Sequence, residues 1–325
     1  MNLVQLRTTV RESLHAGKDT TNYVPEDLFW TDGHINYLLN EAYKHIQKLI
    51  RRSTKDYFSR FVKSTDSVFT ALNQRFTPST LKITAGVGSY RLPPDFVRMV
   101  LIRDLRTDKQ ARFRFVRANT EEFRQVYNEV FPPSDGSFLC DILGGRTLLV
   151  RPLPSEDFDI EIVYDHLMDP LSDYATGTIT VAKGTDVVTF VGADLARFVA
   201  ENELLLSVPI GDVGGRVDLG ANYSVIASIN IPSNQVTLAA PYNDGDVAGG
   251  AYIYSSVPLI PASHHDILVT RAVILAMSKG KNPHLDAIAL WNGIYEDQLA
   301  ALLGDVEIIQ TSDNETSEAF MEDDY

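Results

Sequence analysis

His264 and His265, followed at once by Asp266, are the one group in this 325-residue chain whose side chains resemble metal ligands. Adjacent residues on a helix point about 100° apart, whereas ligands sharing a helical face stand three or four residues apart. The pair therefore makes a poor chelate. It follows Pro258 and Pro261 and opens an apolar segment, so helix capping or packing is the reading. His34, His45, His166 and His284 have no partner at metal spacing. Asn243, Asp244 and Asp246 resemble part of a calcium loop, but no acid completes the pattern, and turn chemistry accounts for them. Glu156, Asp157 and Asp159, after Pro154, read as a solvated loop. Cys140, the only cysteine, stands between Leu139 and Asp141 in an expected strand, which favours a buried structural thiol over a nucleophile. No G-x-S-x-G, H-E-x-x-H, phosphate-loop or dinucleotide fingerprint occurs. The expectation is a protein that is not an enzyme, with no catalytic residues, no metal and no cofactor.

Charge is more informative than chemistry. The formal net charge is −14, and from Asp305 to Tyr325 there are eight acids and no Lys or Arg. That segment reads either as a solvated tail or as an arm that orders against a partner through Ile308, Ile309, Phe320, Met321 and Tyr325. An acidic chain is a poor nucleic-acid binder, because phosphate contacts need cations. Basic residues do cluster locally, at Arg51, Arg52, Lys55 and Arg60 and again from Arg98 to Arg117. Either cluster reads as a solvated face or as a surface for an acidic protein partner. No run of eighteen apolar residues is present, and the first seventeen residues lack the apolar core of a signal peptide. A single cysteine allows no intrachain disulfide, which fits a reducing compartment.

These residues must be positioned by helices at the two ends of the chain and strands between them. Ile35, Leu38, Leu39, Ala42, Tyr43, Ile46, Leu49 and Ile50 predict one amphipathic helix over Thr31–Ser53, with Thr31 as N-cap. A shorter helix is expected over Asn2–Leu14, another over Thr120–Val130, and a final pair over His264–Lys279 and His284–Leu303. Thr54–Phe76 does not settle between helix and strand. Alternating patterns then predict strands at Phe96–Leu105, Arg112–Val116, Phe138–Leu143, Thr147–Val150 and Phe158–Asp165, with Gly144-Gly145 as a two-residue hairpin turn. A second group is expected at Thr178–Val181, Val187–Phe190, Val217–Leu219, Tyr223–Ile229, Gln235–Leu238 and Ala251–Tyr254. The fold class is α+β. A helical bundle is built from the N- and C-terminal helices, with a β-rich middle and an inserted small β-barrel or sandwich. The expected domains are 1–172 with 257–304, the insert at 173–256, and the acidic tail at 305–325.

Four segments, in order, resemble the head-to-tail adaptor (connector) proteins of tailed bacteriophages. They are Thr31-Asp-Gly-His-Ile-Asn-Tyr-Leu-Leu-Asn-Glu-Ala-Tyr43, Tyr90-Arg-Leu-Pro-Pro-Asp-Phe-Val-Arg98, Leu149-Val-Arg-Pro-Leu-Pro154 and Pro261-Ala-Ser-His-His-Asp-Ile-Leu-Val269. The resemblance covers roughly residues 1–170 and 257–303, and Gly177–Tyr254 departs from the minimal pattern. It implies a structural virion protein, made in the host bacterial cytoplasm. Such a protein forms a ring, commonly of twelve copies, between the portal and the tail or nozzle proteins. DNA passes through its channel without specific binding, and no membrane is involved. Portal contacts are expected from the C-terminal arm, and subunit contacts from Arg51, Arg52, Arg103, Arg112 and Arg114. The rival expectation is a carbohydrate- or receptor-binding tail protein that uses Tyr223, Tyr242, Tyr252 and Tyr254 of the insert.

Overall fold

The structure is a computed structural model that describes residues 1–15, 30–54, 57–67, 69–71, 74–107, 111–127, 137–206, 223–279 and 285–319. Its helices are α1 (Leu3–His15), α2 (Asp32–Ser53), α3 (Glu121–Tyr127), α4 (Asp266–Lys279) and α5 (Leu285–Ala319). The chain divides into two compact units, one of residues Met1–Thr54 with Pro170–Tyr325, the other of Lys55–Asp169. The fold is α+β, as expected.

In the first unit, α2 forms where its pattern predicts. Thr31 caps it by accepting from the His34 N–H at 3.4 Å. Ile35, Leu38, Leu39, Ala42, Tyr43, Ile46 and Ile50 are buried along one face. Each such fully buried aliphatic side chain contributes roughly 1.5–3 kcal/mol by leaving water. At the C-terminal end, the Thr54 N–H donates to Ile50 O at 2.7 Å. Helix α4 is apolar nearly all round, with eight buried residues from Ile267 to Ala276. That composition requires neighbours on several sides, and α1, α2 and α5 supply them.

Helix α5 departs from expectation. It does not stop at Leu303 but runs as helix to Ala319. The reason is local. Leu302 and Val306 are still fully buried, no proline interrupts the run, and the one glycine near the expected end, Gly304, costs a helix only about 1 kcal/mol.

The same unit holds the strands from Asp173 onward, but the second unit contains the earlier strands. These are β1 (Ser59–Lys63), β2 (Phe69–Ala71), β3 (Gln74–Phe76), β4 (Ser89–Arg91), β5 (Phe96–Asp104), β6 (Phe113–Phe115), β7 (Phe138–Leu143), β8 (Thr147–Arg151) and β9 (Ile160–His166). They form sheets of order β1-β9-β5 and β4-β8-β7-β6, with β2-β3 as a separate pair. Thr54–Phe76 thus leaves α2 and turns into strands. The turn between β7 and β8 has Gly144 and Gly145 at positive φ, 57° and 70°, a conformation natural to glycine. Pairing resumes at Leu143 with Thr147, so three residues form the loop rather than two. Tyr164, Ile160, Ile162, Leu81, Ile83 and Leu148 lie in the core of this unit.

The remaining strands are β10 (Asp173–Tyr174), β11 (Thr178–Val181), β12 (Val187–Val191), β13 (Glu203–Leu206), β14 (Tyr223–Asn230), β15 (Gln235–Leu238), β16 (Val247–Gly250) and β17 (Tyr252–Ser255). They make one sheet of order β10-β17-β13-β14-β15-β12-β11-β16. The expected barrel is not closed. One chain run from Val247 to Ser255 breaks at Ala251, so its first half pairs with β11 and its second with β13 and β10. The strand expected at Val217–Leu219 lies outside the described residues.

Candidate functional site

The residues that resemble ligands are used for packing. His265 is buried, with Nδ1 2.6 Å from the Met1 nitrogen and Nε2 3.0 Å from Ile260 O. Burial first, and then the charge on that nitrogen, pull its pKa below the usual histidine value. His264 Nε2 lies 2.7 Å from Asp305 Oδ2, which joins the start of α4 to α5 instead of sharing an ion with its neighbour. Burial pushes the Cys140 thiol up to about 12. Asp246 accepts the Lys183 N–H at 2.8 Å, Asp157 accepts the Ala85 N–H at 2.9 Å, and Glu156 pairs with Arg106. Among the described residues, no three His, Cys, Asp or Glu side chains are grouped to hold a metal.

The conspicuous sequence segments prove to be clamps. In the first, Asn40 binds one backbone position twice: Nδ2 donates to Leu171 O at 3.0 Å and Oδ1 accepts the Leu171 N–H at 2.7 Å. One turn on, Tyr43 Oη accepts the Leu259 N–H at 2.7 Å. Helix α2 thereby holds the two chain passages that flank the second sheet. In the other unit, Asp95 is buried between Arg60 Nη1, at 2.6 Å, and Tyr164 Oη, which donates to it at 2.9 Å. Burial raises the Asp95 pKa, and Arg60 and Tyr164 oppose that shift. Arg98 Nη2 pairs with Asp165 at 2.8 Å.

The expected contact arginines divide between the units. Arg51 and Arg52 stand in the last turn of α2, with Arg52 exposed. Arg103, Arg112 and Arg114 are exposed in the other unit, where Arg103 Nη1 lies 3.6 Å from Glu161. Ile308 and Ile309 fall on α5, while Phe320, Met321 and Tyr325 lie outside the described residues. Of the four tyrosines that a sugar-binding face would need, Tyr242, Tyr252 and Tyr254 are interior and Tyr223 is half-buried. Tyr252 and Tyr254 are 1% exposed, and Tyr254 stacks on Phe198 at 4.4 Å.

One cluster was not legible in the sequence. Where α2, α4 and α5 meet, the His45 and Tyr295 rings lie 6.4 Å apart, and the Arg271 guanidinium carbon is 5.3 Å from the Tyr295 ring centre. Burial, followed by Arg271, Lys48 and Arg52, lowers the His45 pKa. Among the described residues no acid pairs with Lys48, Arg52 or Arg271. Arg271 Nε, Tyr295 Oη and Gln298 Oε1 are buried without a hydrogen-bond partner among the described residues. The one available signal was Arg271, the only base ahead of the last turn of an apolar helix.

On this α+β frame, polar side chains clamp chain passages far apart in sequence, as the frame of a structural protein requires. The chain belongs to the SU10 adaptor protein family, whose model matches residues 1–197, from α1 through β12 to Arg197 in the short 3-10 turn that follows it. That family comprises phage head–tail adaptors, so this is a structural phage protein and a virion component; an adaptor is not an enzyme class. No curated protein matches the chain. No described helix is long and apolar enough to cross a membrane.

Proposed function

We propose that the protein forms a ring, of about twelve copies by the resemblance, which joins the portal above to the tail or nozzle proteins below and continues the DNA channel. The observation that carries this reading is the family match over more than half the chain. The charge agrees with it. A net −14 per copy keeps a duplex from adhering to the channel wall, since binding would require protein cations to displace counterions.

The C-terminal end carries portal contacts in this reading, through Ile308, Ile309, Phe320, Met321 and Tyr325. Subunit contacts come from Arg51, Arg52, Arg103, Arg112 and Arg114. Residues 173–256 act as an accessory module of the adaptor domain formed by 1–172 and 257–304. The decisive experiment is native mass spectrometry of the purified chain, alone and mixed with the portal protein of the same phage. A complex holding comparable copies of both is expected. A stable trimer indifferent to the portal would sink the adaptor ring and restore the receptor-binding reading.

A further inference from the structure

The cations between α2, α4 and α5, which no acid pairs among the described residues, need an anion, and α5 carries acids in excess. Between Leu285 and Ala319 the helix has eight acids and no base. Like charges along a helix repel, and acids near its C-terminus also oppose the macrodipole. Cations met beyond the helix would relieve both effects at Asp313, Glu315 and Glu318.

Their own chain's cluster is out of reach. Asp313 lies eighteen residues beyond Tyr295, and at 1.5 Å per residue an unbroken helix separates them by about 27 Å. The direction is also wrong. Because Asp305 pairs with His264, just ahead of α4, the residues after Val306 continue past the N-terminal end of α4, away from Arg271. Glu296 and Asp297, nearer at hand and exposed, form no ion pair among the described residues.

We infer that Lys48, Arg52 and Arg271, with Tyr295 and Gln298, form a receptor for the acidic end of α5 from a second copy of this chain. The inference rests on the ring reading and names which faces meet. Tyr295 is 6% exposed and its buried hydroxyl has no partner among the described residues, so Tyr295 and the Arg271 guanidinium beside its ring form the floor of the receptor. Lys48 and Arg52, both exposed, form the outer rim. A contact from the end of α5 on one copy to the side of α2 on the next joins two different surfaces. Such a head-to-tail contact generates a ring when its rotation closes. The acids of α5 serve the neighbour, and the apolar residues after Glu307 remain for the portal.

The test uses the full chain, with and without the portal protein, and charge reversal on each side: Lys48→Glu with Arg52→Glu, and Asp313→Lys, Glu315→Lys and Glu318→Lys. Native mass spectrometry reads the copies per complex, and circular dichroism checks the fold. The Lys substitutions favour the helix dipole, so lost assembly would not reflect lost helix. Each set alone is expected to weaken subunit association by more than about tenfold. Combining the two sets is expected to recover most of that loss, as coupled sites do. Either set assembling like the wild type, or a combination no better than its parts, overturns the contact and leaves the ring standing. A wild-type chain that stays monomeric even with the portal overturns both.

Discussion

His265 shows how a residue type that suggests chemistry can serve the fold instead. Its ring is buried, with one nitrogen beside the Met1 nitrogen and the other on Ile260 O. As the neutral tautomer protonated at Nε2, it donates to that carbonyl and accepts at Nδ1. Its folded pKa is depressed, first by burial and then by the neighbouring positive charge. The stability this arrangement contributes is therefore fully present above about pH 6.5, the unfolded value. It is lost as the pH falls from there through the folded value, because the unfolded state binds the extra proton first. His45 acts with the same sign, depressed by burial and then by Arg271, Lys48 and Arg52. Urea midpoints measured from pH 7.5 to 5.5 are expected to decline. In His265→Asn the decline is expected to be shallower, on a lower baseline. An unchanged slope in that variant would remove His265 from the account.

At the scale of elements, α5 separates what holds the fold from what is left for partners. Leu302 is fully buried against its neighbours, and Leu302→Ala is expected to cost about 2–5 kcal/mol through lost transfer energy and the cavity left behind. Removing residues 308–325 deletes a stretch that follows the last described buried position, Val306. This truncation is expected to leave the thermal midpoint of the chain nearly unchanged while abolishing portal docking. A midpoint lowered as far as that of Leu302→Ala would make the helix end part of the core. The helix end was hard to read in advance because dense acidic charge is the mark of a solvated segment, whereas helix formation there follows from the continued apolar spacing at Leu302 and Val306. By contrast, α2 was legible nearly to the residue, since one face, one cap and one charge gradient all agree. The capped helix was visible, but not the task of Asn40 and Tyr43. Their partners, Leu171 and Leu259, are 131 and 216 residues away, and no local pattern encodes such pairing. The splitting of the Val247–Ser255 run between two neighbours was hidden for the same reason.

For the whole molecule, charge sets two opposing requirements on a ring. Copies that each carry −14 repel over tens of ångströms, yet the proposed contact between α5 acids and the Lys48, Arg52 and Arg271 cluster is attractive at short range. Salt acts on the two differently. At 0.01 M the screening length is about 30 Å, so the repulsion between copies is felt in full; at 0.15 M it is about 8 Å, and most of that repulsion is gone. By 1 M it is about 3 Å, comparable with an ion-pair distance, and the exposed Lys48 and Arg52 contributions weaken as well. Subunit association should therefore be weakest at low salt, strongest near 0.15 M and weaker again at 1 M, as read by sedimentation velocity at fixed protein concentration. In the Lys48→Glu, Arg52→Glu variant the high-salt decline should vanish, because only repulsion is left to screen. A wild-type association that rises steadily up to 1 M would mean that apolar contact alone holds the copies together, and that the acids of α5 face something other than a neighbour.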